Sequence, residues 1–63
     1  MHGKVYIIFG ANHEIMGVTL NHEQALHILD DLCKYFEFET FKIEICSLVN
    51  GVVTSSTQHT RHG

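Results

Sequence analysis

The sequence predicts an α+β fold. It is a single ββαβ domain, or ββαββ if a last strand forms, with one helix packed on one face of a mostly antiparallel sheet of order 2-1-3(-4). Three observations predict it. Asn21 to Phe36 (NHEQALHILDDLCKYF) is the one stretch with a clear helical period. Lys4–Phe9 (KVYIIF) and Ile15–Leu20 (IMGVTL) are rich in β-branched and apolar residues and are separated by turn chemistry. Phe41–Val49 (FKIEICSLV) alternates almost strictly between apolar and polar residues.

The first strand, Lys4–Phe9, is apolar on both faces, which suits a central strand. Gly10 to Glu14 turns the chain at Asn12-His13. The expected register pairs Phe9 with Met16, Ile7 with Val18 and Val5 with Leu20. It sends those residues to the helix and leaves Tyr6, Ile8, Ile15 and Thr19 on the other face, thinned by Gly17.

In the helix, Ile28, Leu29, Leu32 and Phe36 fall within about 60° of Ala25 at about 100° per residue. Leu26 and Cys33 widen that stripe, and His27, Asp30, Asp31 and Lys34 lie opposite. Asn21 is a good N-cap and Gln24 stands at the capping-box position. Leu20 and Ala25 occupy staple positions. Glu23 and Lys34 suit the helix dipole, and Asp30 with Lys34 is an i,i+4 pair.

The third strand points Phe41, Ile43, Ile45 and Val49 one way and Lys42, Glu44 and Cys46 the other. A right-handed crossover leaves it parallel to the second strand, with the first strand inserted between them. Asn50-Gly51 favours a type I′ hairpin turn. Val52 to Ser55 either returns as a short fourth strand or leaves the domain. The expected domain is residues 1–56, with 57–63 (TQHTRHG) a disordered tail.

Sixty-three residues allow one domain with a small core, so a marginal monomer and self-association are expected. A formal charge of −3 argues against non-specific nucleic-acid binding, as Lys4, Lys34, Lys42 and Arg61 are scattered. No apolar run is long enough for a membrane span. Two cysteines make no disulfide framework and no signal sequence is visible, so the expected location is cytoplasmic.

No motif for catalysis or a cofactor stands out, and the expectation is a non-enzyme with no cofactor. His22 and His27 are five apart and diverge by about 140° round a helix, which rules out joint chelation at i,i+4 spacing. His59 and His62 could hold a metal loosely, but six solvated histidines are the simpler account. Cys33 reads as core and Cys46 as lying beyond the sheet, too far for a disulfide. Asp30 and Asp31 diverge on the helix and read as a solvated face.

Two surfaces remain as candidate contacts. One is the sheet face opposite the helix, with Tyr6, Ile8, Ile15, Cys46, Leu48 and Val53 as the expected interface with a partner or a second copy. The other is an acidic strip of His27, Asp30, Asp31, Glu37 and Glu39, which would also serve a DNA-mimicking protein; a nucleic-acid-directed protein, a further alternative, would instead need a local basic surface. A small metal-binding protein is a further alternative.

VYIIFG (5–10), MGVTLNHEQA (16–25) and FKIEI (41–45) together resemble short uncharacterised phage and bacterial proteins of strand-strand-helix-strand order. Gly17, Val18, Glu23 and Ala25 match their Gly-Val-x-x-x-x-Glu-x-Ala spacing. The element order is also similar to that of the small phage inhibitor of bacterial RNA polymerase, with no functional residue in common. The resemblance implies a phage-encoded accessory protein, in the cytoplasm of a bacterial host, that binds and inhibits or modulates a host protein. It supplies no catalytic residues.

Overall fold

A computed structural model describes residues 2–62. The chain runs β1 (His2–Phe9), a 3-10 turn (Ala11–His13), β2 (Ile15–Thr19), α1 (His22–Tyr35), β3 (Thr40–Val49) and β4 (Val52–His62). The four strands form one sheet of order β2-β1-β3-β4, antiparallel at every join, with α1 on one face.

Both turns are built from residues that accept positive φ. Asn50 (φ 52°) and Gly51 (φ 81°) turn β3 into β4, as Asn-Gly predicts. Asn12 (φ 61°) and His13 (φ 60°) do the same between β1 and β2. There Ile7 pairs with Val18 as expected, but a bulge sets Phe9 opposite Ile15 rather than Met16. The Gly10 amide closes this wider turn by donating to the Glu14 carbonyl at 2.7 Å.

The helix begins where the sequence places it, with a modified cap. Asn21 Oδ1 accepts from the Gln24 amide at 3.1 Å. The Gln24 side chain does not reach back to the Asn21 amide. Thr19 takes that role: its hydroxyl accepts from Asn21 N–H at 3.2 Å and donates to Gln24 Oε1 at 2.8 Å. The last residue of β2 thus fixes the first turn of α1, satisfying donors that a helix start otherwise leaves open. Leu20 is largely exposed and makes no staple with Ala25.

The core consists of Tyr6 and Ile8 from β1, Ala25 and Leu29 from α1, and Phe41 and Ile43 from β3. Ile28, Leu32, Cys33 and Ile45 pack around them. This corrects the expected placing of β1. Tyr6 and Ile8 lie under the helix, and Val5, Ile7 and Phe9 face away. Because β1 is apolar on both sides, its own pattern does not fix which side faces in. Gly17 and Thr19 on β2 decide it. Gly17 is opposite Ile8, and a Cβ built there would stand 3.3 Å from Ile28 Cγ2. The missing side chain is where the helix seats, and Thr19 must face the helix to cap it.

The second correction concerns the end of the chain. Residues 57–62 are not a tail: they complete the eleven residues of β4, paired with β3 from Val52 to His62. The single interruption is a register shift opposite Ser47/Leu48. Arg61 Nη2 reaches Asp30 Oδ1 at 2.6 Å and ties β4 to the helix. Asp30 therefore pairs with Arg61 rather than with Lys34. Met1 and Gly63, the latter expected in the tail, lie outside the described residues.

Ile8→Glu should abolish cooperative unfolding, because it puts a carboxylate in a dry core. Val18→Glu, on the open face, should move stability by about 1 kcal/mol or less. Urea titration followed by circular dichroism separates the two placements.

Candidate functional site: the uncovered sheet face

Among the described residues, the sheet face away from α1 has no second layer. The pairings Phe9–Ile15, Ile7–Val18, Val5–Cys46 and Leu48–Val53 set apolar side chains next to one another on this face. They form a diagonal band that crosses all four strands. Ile15 is 60% exposed, Val18 58% and Val53 55%. Val5, Ile7, Phe9 and Leu48 are half-buried by their neighbours. The other diagonal is polar, with Lys42 beside Thr60 and Glu44 beside Gln58.

Of the six residues expected on this face, Ile15, Cys46, Leu48 and Val53 are there. Tyr6 and Ile8 are not. Val5, Ile7, Phe9 and Val18 take their place. The signal for them lay in Gly17: read as a seat for the helix rather than a gap in the open face, it inverts both β1 and β2.

Cys46 sits at the border of the two diagonals and is buried. Its thiol donates to Glu44 Oε1 at 3.3 Å, and Gln58 Nε2 donates to Glu44 Oε2 at 3.0 Å. Burial raises the thiol's pKa above its ordinary value, and the hydrogen bond and charge of Glu44 raise it further. This is the opposite of the electropositive setting that makes a cysteine a nucleophile. Cys33 packs on the helix side of the sheet, and both thiols are free.

The acidic strip is less uniform than its sequence. Asp30 is held by Arg61, while Asp31, Glu37, Glu39 and His27 are exposed. The pairing removes one negative charge from the array. Arg61 is engaged on the helix side and Lys42 lies on the open face, so these two cations share no face.

The histidines are likewise dispersed. The His22 ring meets Tyr6 edge-on at 5.3 Å, and His62 Nδ1 lies 3.0 Å from Thr40 Oγ1. His59 and His62, three apart on a strand, point to opposite faces. No group of three His, Cys, Asp or Glu side chains stands close enough to hold a metal ion among the described residues.

One exposed group escaped the sequence reading. Tyr35 and Phe38 lie open to solvent where α1 passes into β3. The signal was available, since Phe38 stands between two glutamates outside every apolar period. Comparison with family models, with curated proteins and with solved structures gives no match.

Native Cys46 should react with a maleimide at least about tenfold more slowly than Cys33, since it is buried beside a carboxylate. The two rates should converge in denaturant. Mass spectrometry of timed quenches reads both.

Proposed function

We propose that the protein is a non-enzymatic interaction module that binds another protein through the apolar band of its open sheet face. The observation that supports this best is the band itself. Seven apolar side chains, Val5, Ile7, Phe9, Ile15, Val18, Leu48 and Val53, are continuous across four strands and rimmed by Lys42, Glu44, Gln58 and Thr60. A soluble domain gains nothing from leaving such a band in water, whereas an apolar centre with a polar rim is the usual anatomy of a protein interface.

The chemistry of the site agrees with binding rather than turnover. Its buried thiol has a raised pKa and donates to Glu44, whose other oxygen accepts from Gln58. The resemblance of residues 5–10, 16–25 and 41–45 to short phage proteins extends the proposal. On that reading the chain is phage-encoded, acts in the bacterial cytoplasm and inhibits or modulates a host protein.

Affinity capture from a bacterial lysate should test it, with the wild type compared against Ile15→Glu/Val18→Glu and Asp31→Lys. The proposal expects one host protein retained by the wild type and by Asp31→Lys. The double variant should lose it, with a Kd raised at least about a hundredfold, as expected when charges enter the core of an interface. Retention by the double variant with loss in Asp31→Lys would move the site to the acidic strip.

A further inference from the structure

We infer that the outer edge of β4 pairs antiparallel with the same edge of a second copy of this chain, across a two-fold axis at Gln58. The inference concerns a strand edge and stands apart from the apolar band.

The two edges of the sheet are treated differently. β2 is five residues long and carries the bulge, two of the usual ways of making an edge a poor template. β4 is eleven residues long and contains neither proline nor lysine. Its one irregularity is confined to the end beside the Asn50-Gly51 turn. From Ser55 to Arg61 it runs in unbroken register with β3. The backbone groups on its other side have no strand partner among the described residues.

β4 is also the strand the core does not hold. Every residue in it is exposed, and among the described residues the Arg61–Asp30 ion pair is its one polar link to the helix. Holding eleven mostly polar residues extended costs more conformational entropy than one ladder of hydrogen bonds returns. A second ladder on the outer edge makes up the difference.

The sequence of β4 is suited to pairing with itself. Centring on Gln58 sets Ser55 opposite Arg61, Ser56 opposite Thr60 and Thr57 opposite His59. No like charges meet, and the paired run stays clear of the irregularity. Centring on Thr57 shortens the clean run, and centring on His59 sets that residue against its own copy. Gln58 itself is prepared for the axis. Glu44 Oε2 accepts one of its N–H groups at 3.0 Å and so orients the amide. The second N–H and the amide oxygen are then available for the reciprocal bonds that two copies of one amide can make. The product is a closed, isologous dimer with an eight-stranded sheet, both helices on one side and both apolar bands on the other.

Sedimentation velocity across the micromolar range tests the pairing. The wild type should show a monomer–dimer equilibrium, and the amides on the outer side of Ser55–Arg61 should exchange more slowly as concentration rises. Thr57→Lys/His59→Lys, which places ammonium groups opposite each other twice in the dimer, should raise the dimer Kd at least about tenfold. Thr57→Glu/His59→Lys turns the same contacts into ion pairs and should restore dimerisation. Both variants should keep the wild-type circular dichroism when dilute. A wild type that stays monomeric at its highest soluble concentration would overturn the inference. So would concentration-independent exchange along β4, or self-association that survives Thr57→Lys/His59→Lys but is lost in Ile15→Glu/Val18→Glu.

Discussion

One helix cannot cover a four-stranded sheet. An α-helix with its side chains is about 10–12 Å across, while four strands spaced by about 4.8 Å present a wider surface on each of two faces. The described residues form a single α-helix, seated over β1 and its neighbours, with Ile28 lowered onto Gly17 and Leu29 among the core residues Tyr6, Ile8, Phe41 and Ile43. Everything else follows from that shortfall. The opposite face keeps its apolar residues in contact with water, and β4 lies at the edge of the sheet, held by its ladder to β3, by side-chain hydrogen bonds such as Gln58–Glu44 and by the Arg61–Asp30 ion pair.

The seat on Gly17 also sets the direction of every side chain in the first half of the sheet. A Cβ at position 17 would stand 3.3 Å from Ile28 Cγ2, so Ile28 would have to give by a few tenths of an ångström. The Thr19 relay to Asn21 and Gln24 holds the same geometry from the other end, since it works only if Thr19 faces the helix. Packing and capping therefore agree on one face for β2, and the antiparallel pairing transmits that choice to β1 and β3. Consistency between local and global preferences of this kind is what gives a short chain a single native arrangement.

The order of strands, the limits of the helix and both turns were legible in the sequence, because each has a local cause. Asn21 caps, Asn50-Gly51 turns, and Phe41, Ile43 and Ile45 alternate. The facing of β1 was not legible from β1, since Val5, Ile7 and Phe9 are as apolar as Tyr6 and Ile8. It was written instead in a glycine and a threonine on the neighbouring strand. The extent of β4 was hidden for another reason. VVTSSTQHTRH has almost no apolar period, and its order comes from pairing with β3 rather than from burial. The open face was anticipated as a surface, and half of its residues were misassigned by the one inversion.

The central claim is that Ile8 lies under the helix and that Ile15 and Val18 lie on a free surface. Paramagnetic relaxation of methyl protons by an inert soluble agent measures this directly. The account predicts weak relaxation for the methyls of Ile8 and Leu29, and strong relaxation for those of Ile15 and Val18. Strong relaxation at Ile8, with Val18 shielded, would contradict it and return the helix to the other face of the sheet.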